Sequence, residues 1–567
     1  MTRRPSACPR LLPALVAACV AGCLGPAAFR VDGDDTGTPV VADTPAPDAT
    51  GDTAAPVDTG PPPPPLRPAP AGLRTLTPAQ YVASVRTVLG AAGDGLEVPS
   101  LGAWATSVGA AQGGIPAGTA VAYEGAARAV ATAVFDDPDR RAALVDCTPA
   151  ADPADPCTAA FVAQVGRRAF RRALDEAEQA RWVAVAEAVA AEAGAWEALR
   201  LVLSGLLQSP SFLYRVELGE PDPTAPPDAP RLRYADTELA TRLSYLLWGD
   251  APDEALLDAA EAGLLADPTG LEAQVDRMLA DPRAAHGLEA FLRELLQVDG
   301  LQIVEKDEAL FPDFPQQREA LADQLLQTAL AAVREQGGFR ALFTTRTLFV
   351  DDRTAPLYGL PSPGSILPSR VTAPAERAGV LTTAGFLALH AYPGKTSPAL
   401  RGLFVRKTLL CHAIKPPPAG VVTVLPDRTD QGLVTTRELV AVHQDTPACG
   451  ACHRYMDPIG LGLEQFDALG RYRQTEHGLP IDPSGELDGI AFADGAALGG
   501  LLAQHPALLP CVAAHLVAQA GGFTVDDAHP EVEALAVGQG GAAAMLRAVA
   551  LSDLFRLAWP ADPEVTP

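Results

Sequence analysis

The residues with the clearest capacity for chemistry are Cys449-Gly450-Ala451-Cys452-His453. Two thiols at this spacing form thioethers with the two vinyl groups of a haem, and the histidine that follows binds the iron from one side. The motif therefore predicts one covalently bound haem c. Cys449 and Cys452 would attach it, and His453 would be the proximal iron ligand.

Two other chemistries use the same residue types. A structural zinc ion could be bound by Cys449, Cys452 and His453, with His443 as a further ligand. A thioredoxin-like dithiol would need a buried strand before the motif, whereas the segment from His443 to Pro447 is polar. Haem is therefore the first expectation, zinc is the alternative, and the dithiol is the least favoured.

The second axial position on the iron has several candidates. Met456 follows His453 by about one helical turn, so it would stay on the same side of the haem ring. His443 is separated from the motif by a polar loop with Pro447 that could curve around the haem edge. His443 is the leading candidate for a distal ligand, and an open or water-filled position is expected at least as much as a histidine there. Less favoured candidates are two remote histidines and two core-type methionines: His390, His412, Met278 and Met545.

The remaining cysteines predict disulfides. Cys147 and Cys157 bracket a loop rich in proline, so we expect a local disulfide between them. Free thiols are disfavoured in an exported protein, and Cys411 and Cys511 are then left over as a pair that could link two modules.

The N-terminal residues predict export. A basic start is followed by a short apolar run that ends in Val20-Ala21-Gly22-Cys23, which resembles a bacterial lipobox. We therefore expect a lipoprotein signal peptide over 1–23, lipidation at Cys23 and attachment to the cell envelope, at the outer membrane or the periplasmic face. Cys19 is a rival lipidation site, and an ordinary signal peptide is the alternative.

Composition narrows the class of protein further. Residues 24–72 are rich in proline, aspartate and threonine, which predicts a disordered stalk. The chain has 567 residues, with 43 Lys and Arg against 69 Asp and Glu, and a formal net charge of −26. This negative charge argues against a nucleic-acid partner.

From Leu73 onward the apolar spacing predicts a mostly α-helical protein. Thr77 and Pro78 are expected to start the first helix, and Asp236 to cap a later one. Further helices are predicted at about 175–193, 195–207, 284–298 and 315–336. One short strand is predicted at Thr347 to Val350.

Several polar and aromatic residues carry structural expectations. The arginines of 166–172 could clamp an anion or a haem propionate, but ion pairing between modules is favoured because the chain is so acidic. Trp248 and Phe212 are expected in the core. Asp457-Pro458 is expected to cap and start a helix, and Glu464 and Asp467 to lie on a helical surface.

Longer motifs resemble the multi-module family that carries the Planctomycete-type cytochrome c domain, found in exported proteins of planctomycetes and myxobacteria. The stretch Cys449–Arg473, CGACHRYMDPIGLGLEQFDALGRYR, resembles the haem-binding module. Upstream, Thr396-Ser397-Pro398 with Arg401-Gly402 also resembles this module. Other modules of the family are resembled by GRRAFRR at 166–172 and by Arg242-Leu243-Ser244-Tyr245 with Trp248. Residues from about 485 to 557, which include Cys511, resemble the last module of the family.

The resemblance implies several small helical modules around a c-type cytochrome-like module. We expect them at 73–145, 146–225, 226–360, 361–478 (the cytochrome-like module) and 479–567. The expected function is that of a membrane-tethered monohaem cytochrome that exchanges electrons with an unidentified redox partner protein. The alternative is a cell-surface scaffold or carbohydrate-associated protein with a structural haem or zinc site. The family implies no substrate, and whether the chain is an enzyme stays open.

Overall fold

The computed structural model describes residues 68–99, 101, 106–152, 155–226, 230–415, 434–444, 447–537 and 541–560. The predicted signal peptide, with Cys19 and Cys23, lies outside these residues. So does the predicted stalk up to residue 67.

The N-terminal part begins with a strand and is then helical. Thr77 caps the first helix through a capping box with Gln80, and Pro78 is its first residue, as predicted. The chain is not helical from Leu73 onward, because Gly72–Thr75 pairs with Tyr214–Glu217 in an antiparallel sheet. The elements are β1 (Gly72–Thr75), α1 (Pro78–Leu89), α2 (Ser107–Gln112), α3 (Ala117–Asp136), α4 (Pro138–Leu144), α5 (Pro156–Phe170), α6 (Glu176–Ala193), α7 (Ala195–Leu207), α8 (Pro210–Leu213) and β2 (Tyr214–Glu217).

The central part continues the helical pattern. Asp236 is the first residue of its helix and Ala235 is the N-cap, so the predicted start is displaced by one position. The predicted strand Thr347–Val350 is present and pairs with Ser369–Thr372. The elements are β3 (Glu220–Pro221), β4 (Leu232–Arg233), α9 (Asp236–Leu247), α10 (Glu254–Glu261), α11 (Pro268–Ala280), α12 (Ala284–Leu295), α13 (Phe314–Glu335), β5 (Thr347–Val350) and β6 (Ser369–Thr372).

The remaining elements surround the cysteine motif and complete the C-terminal part. A π-helical stretch, Val405–Leu409, follows the second helix of this group directly. The elements are α14 (Ala384–Leu389), α15 (Pro398–Phe404), α16 (Thr436–Gln444), α17 (Pro447–Leu461), β7 (Thr475–Glu476), β8 (Leu479–Pro480), β9 (Gly485–Leu487), β10 (Ile490–Phe492), α18 (Gly495–Gln504), α19 (Leu508–Gly521), α20 (Pro530–Ala536), α21 (Ala542–Leu551), α22 (Asp553–Arg556) and β11 (Leu557–Ala558).

Two hydrophobic cores organise these elements. The first contains buried residues between Tyr81 and Leu213. The second runs from Tyr234 to Ala558 and includes residues of α9, α13, α14, α17, α19 and α21. The predicted central, cytochrome-like and C-terminal modules therefore share one core, and the described residues, from 68 to 560, all belong to one compact unit. The protein is mostly α, as predicted.

A buried glutamate links elements on both sides of the boundary between the cores. Glu217 on β2 is fully buried and forms ion pairs with Arg74 on β1, Arg215 on β2 and Arg242 on α9. Burial alone would raise the pKa of Glu217, but the charges of these arginines outweigh it and lower the pKa to about 2. The Nε atom of Arg242 also donates to the carbonyl of Phe555, which ties the C-terminal part to the same cluster.

The first and last described segments lie side by side. The amide of Ala71 donates to the carbonyl of Trp559 at 2.9 Å, and the amide of Trp559 donates to the carbonyl of Ala69 at 3.0 Å. In addition, β11 pairs antiparallel with β4. Both ends of the described chain are therefore fixed by backbone hydrogen bonds.

The arginine-rich segment joins neighbouring modules, as the favoured interpretation predicts. Arg167 pairs with Glu254, Asp258 and Glu261 of α10, and Arg168 also pairs with Glu254. The segment is not one continuous helix, because α5 ends at Phe170 and the next residue, Arg171, is left-handed. The guanidinium of Arg171 is buried and donates to the carbonyls of residues 211, 212 and 214.

The aromatic and methionine residues expected in the core are found there. Trp248 is buried, and its Nε1 atom donates to the carbonyl of Met278 at 3.0 Å. Phe212, Met278 and Met545 are buried as well. Among the described helices, none alone has the length and hydropathy of a membrane span; only α18 and α19 do so as a pair, and they are bent by 75°.

Candidate functional site

The cysteine motif lies on one helix, α17. With 3.6 residues per turn, Cys449, His453 and Asp457 fall on one stripe of this helix, and Cys452 lies on the neighbouring side. Cys449 is partly exposed and Cys452 is exposed, and neither forms a disulfide. Both thiols are therefore accessible to a ligand that approaches from this side of the helix.

His453 is oriented by a buried carboxylate. Its Nδ1 atom lies 3.0 Å and 3.2 Å from the two carboxylate oxygens of Asp457, four residues along the helix. The carboxylate accepts a hydrogen bond from Nδ1–H, which favours the tautomer whose lone pair is on Nε2. An imidazole fixed in this way by an outer carboxylate is typical of metal-binding histidines.

The position of Asp457 shows that one prediction from the sequence is wrong. Asp457-Pro458 does not cap and start a helix, because both residues lie inside α17, which continues to Leu461. Pro458 has no backbone N–H, so the helix lacks one hydrogen bond in its last turn. The carboxylate of Asp457 is fully buried and serves His453 instead of a helix N-terminus.

The distal candidate His443 lies on a helix and not in a loop. α16 extends to Gln444 and packs against α17, so only residues 445–446 separate the two helices, and these lie outside the described residues. The side chain of His443 also lies outside the described part of the structure. Its role as distal ligand therefore stays a prediction.

The other distal candidates are engaged elsewhere. His412 Nδ1 lies 2.6 Å from the hydroxyl of Tyr455, which is about 200° around α17 from His453. His390 is buried between the rings of Phe386 and Phe404. Burial, reinforced by the nearby charges of Arg401 and Lys306, lowers the pKa of His390 to about 3, so it is a neutral core histidine.

Close backbone packing fixes α17 in place. A Cβ atom at Gly402 on α15 would overlap the backbone of Met456, and one at Gly460 on α17 would overlap the carbonyl of Pro398. Glycine is therefore needed on both helices for them to approach this closely. Met456 is buried at this contact, on the side of α17 that faces α15.

A buried ion pair joins α15 to the segment that follows α17. Arg401 on α15 is fully buried and donates to the carbonyl of Leu463 at 2.7 Å and to Glu464 at 3.4 Å. Glu464 also accepts from Thr396 and Arg473. The expectation that Glu464 lies on a helical surface is therefore wrong. Burial raises the pKa of Glu464, and Arg401 and Arg473 oppose this effect.

Asp467 also departs from the expected helical surface. It lies after α17, in a turn, where its carboxylate accepts from the amides of Leu469 and Arg471 at 2.9 Å and 2.8 Å. Its role in the described structure is to close this turn.

A polar network covers the side of α17 that faces away from His453. The guanidinium of Arg406 stacks on Tyr455 at 3.7 Å and donates to the carbonyl of the same residue. Arg406 also pairs with Asp488, and Asp488 pairs with His505 at 2.9 Å. Arg406 and Asp488 belong to no motif singled out from the sequence, and a single sequence gives no signal that would bring them together.

Both predicted disulfides are present. Cys147 is bonded to Cys157, and Cys411 is bonded to Cys511 across 100 residues. The second bond links the end of the π-helical stretch to α19. It therefore holds the chain shortly before the segment that leads to α16 and α17.

Comparisons with known families agree with this architecture. Residues 157–217 match the PSD5 model, "Protein of unknown function (DUF1595)", and residues 235–360 match PSD4, "Protein of unknown function (DUF1592)". Residues 377–476, which include the cysteine motif, match PSCyt3, "Protein of unknown function (DUF1588)". No significant match was found among curated proteins or among solved structures.

A mostly helical chain whose successive parts match these three models defines a multi-module protein with a cytochrome-type module. The chain belongs to the multi-module family of unknown function that carries the Planctomycete-type cytochrome c domain.

Proposed function

We propose that this protein is an exported, membrane-tethered monohaem c-type cytochrome that exchanges single electrons with a partner protein. The observation that carries the proposal is the arrangement of Cys449, Cys452 and His453 on α17, with the imidazole held by the buried carboxylate of Asp457. When bound, haem c supplies a one-electron iron couple.

The donor set fits a covalent haem. Cys449 and Cys452 have the thiols needed for two thioether bonds, and neither is consumed in a disulfide. The carboxylate of Asp457 accepts a hydrogen bond from Nδ1–H of His453, which leaves Nε2 as the atom that would bind the iron. Gly402 and Gly460 let α17 pack closely on α15, and the Arg401–Glu464 pair holds the segment just after α17, so the ligands would be held in a fixed orientation.

The exposure of the motif supports exchange with a partner. Cys452 is exposed and His453 is partly exposed, so one attachment point lies at the protein surface. One-electron transfer needs close approach of a partner and no substrate pocket. The matched family models name no activity.

The decisive experiment is the pyridine haemochrome spectrum of the protein made in a bacterium that attaches c-type haem. We expect one covalent haem per chain. Cys449→Ala/Cys452→Ala should carry no covalent haem, while Cys147→Ser/Cys157→Ser, which removes two cysteines outside the motif, should keep it. A colourless protein with zinc bound to the motif would contradict the proposal and support the scaffold alternative.

The proposal of a membrane tether rests on the sequence of the N-terminal segment. Lipidation at Cys23 would anchor the protein in the cell envelope, and the segment from residue 24 to residue 67 would hold the helical body away from the membrane. The predicted stalk is shorter than 24–72, because Ala69, Ala71 and Gly72 are hydrogen-bonded to the folded body. Metabolic labelling with a fatty acid tests this. We expect label in the natural protein and none in Cys23→Ala, whereas label retained in Cys23→Ala and lost in Cys19→Ala would assign the anchor to Cys19.

A further inference from the structure

A group of metal-ligating side chains lies outside the cytochrome motif. The sulfur atoms of Cys411 and Cys511 and a ring nitrogen of His515 all lie within 4.8 Å of one another. The Nε2 atom of His515 is 3.9 Å from the sulfur of Cys411. Two cysteine sulfurs and one imidazole are a ligand set typical of zinc sites that keep a fourth position for water.

A cavity gives solvent access to this group. It has a volume of about 420 Å³, and Cys411 and His515 lie in its wall together with Lys407, Asp526 and Asp527. Cys511 is fully buried behind them. A reductant or a hydrated ion can therefore reach the sulfur of Cys411 and the ring of His515 from the cavity, and water in the cavity can complete a tetrahedral ion.

A metal ion at Nε2 of His515 would replace a hydrogen bond that this ring atom makes in the oxidised protein. In the disulfide form, Nε2–H donates to the carbonyl of Thr408 at 2.9 Å. Binding of a metal at Nε2 would move this proton to Nδ1, which is the ordinary change of tautomer of a metal-bound histidine.

The backbone at Cys411 is held in an unusual conformation. Cys411 has a φ of 52°, in the left-handed region that disfavours side chains other than glycine. It directly follows the π-helical stretch Val405–Leu409 and Leu410. Reduction of the disulfide would remove its constraint on Cys411.

We propose that Cys411, Cys511 and His515 form a redox-gated zinc site. A dithiol reductant gives two electrons and two protons to the Cys411–Cys511 bond, which breaks to two thiols, while the reductant is oxidised to its own disulfide. Zn²⁺ then binds the two sulfurs and His515, and two thiol protons are released. The same three residues thus hold a disulfide when oxidised and a zinc ion when reduced.

The test is differential alkylation of the full-length protein, with or without Zn²⁺, after dithiol reduction under native conditions. Mass mapping gives the modified fraction of each cysteine. We expect Zn²⁺ to protect Cys411 from alkylation, and to leave Cys147 and Cys157 unprotected, because no histidine is grouped with that disulfide among the described residues. The readout is independent of haem, since Cys449 and Cys452 report haem attachment separately in the same map.

His515→Gln is the variant that tests the imidazole. Glutamine can still donate to the carbonyl of Thr408, so the fold is expected to hold. We expect the zinc concentration needed for half-protection of Cys411 to rise by more than about tenfold, since even an outer partner of a metal site contributes that much. Equal alkylation of Cys411 with and without Zn²⁺, equal protection in His515→Gln, or a bond that resists the reductant would each overturn the proposal.

Discussion

The Nδ1 atom of His453 lies 3.0 Å from the carboxylate of Asp457, one helical turn further along α17, and that carboxylate is fully buried. The hydrogen bond connects the partly exposed ring of His453 to the buried carboxylate of Asp457. It also explains how a charged side chain can be buried at this position, next to Pro458. Hydrogen bonding to the ring orients it, and the buried charge has a partner.

Asp457→Asn is therefore expected to destabilise the protein. The substitution keeps the volume and removes the negative charge that accepts from His453, a hydrogen bond of the kind that contributes about 1.5–3 kcal/mol. The free energy of unfolding, measured with urea, should fall by about this amount. Asp526→Asn, at an exposed position, is the matched control and should be close to neutral; equal stability of the two variants would show that the buried pair has no such role.

Gly402→Ala should loosen the contact between α15 and α17. The added methyl group would overlap the backbone of Met456, and overpacking of this kind costs about 1–3 kcal/mol. Gly500→Ala on α18 is the control, because a Cβ atom there meets no atom within 4 Å. A glycine replaced inside a helix at an open position should be neutral or slightly stabilising. Similar urea midpoints for both variants would disprove the close approach.

Glu217→Gln should destabilise the protein strongly. It would leave Arg74, Arg215 and Arg242 buried without their shared negative charge, and breaking a buried pair costs about 3–5 kcal/mol. Glu220→Gln in the exposed strand β3 is the matched control. Thermal or urea unfolding of both variants at neutral pH measures the difference, which should be large.

The same glutamate predicts a stability loss in acid. The pKa of Glu217 is about 2 in the folded protein and close to the ordinary glutamate value when unfolded. A lowered pKa stabilises the fold fully above the unfolded value, and the contribution is lost as pH falls from about 4.5 to about 2. The decline in unfolding free energy over this range should be smaller in Glu217→Gln, and parallel pH profiles would argue against the lowered pKa.

The buried Lys306 predicts that the free energy of unfolding depends on pH above neutrality. Its amine is buried and donates to the carbonyls of Ala391 and Tyr392, and burial, aided by Arg401, lowers its pKa to about 7. Between pH 7 and about 10 the unfolded chain binds a proton that the folded chain does not, so stability should rise with pH, by at most about 1.4 kcal/mol per pH unit.

Lys306→Met tests this slope. We expect the rise in unfolding free energy between pH 7 and pH 9 to be reduced in this variant and unchanged in Lys407→Met, whose side chain is exposed. An unchanged slope in Lys306→Met would mean that the amine is protonated in the folded state throughout this range.

Local signals in the sequence predict the helices well. Thr77 and Pro78 start α1, and 195–207 is a helix over its full predicted length, because caps and apolar spacing act within a few residues. The disulfides follow from a count of the cysteines left after the motif is set aside. These features depend on neighbouring residues or on simple pairing, and both are visible in one sequence.

Long-range partners are the part that could not be predicted. The clustering of Arg74, Arg215 and Arg242 around Glu217 joins residues up to 168 positions apart, from 74 to 242. Likewise, the role of Asp457 was hidden because Asp-Pro ordinarily marks a helix start. In the structure the helix continues through this pair to Leu461.

The hydrogen bonds between Ala69, Ala71 and Trp559 have a mechanical consequence. Force applied along the residues that precede Ala69 would act first on the hydrogen bonds to Trp559, the residue that follows β11. The β1–β2 pair and the ion pair of Arg74 with Glu217 would bear the force next, since β1 follows directly. A pull from the N-terminal side would therefore be carried by elements to which α17 and its histidine do not belong.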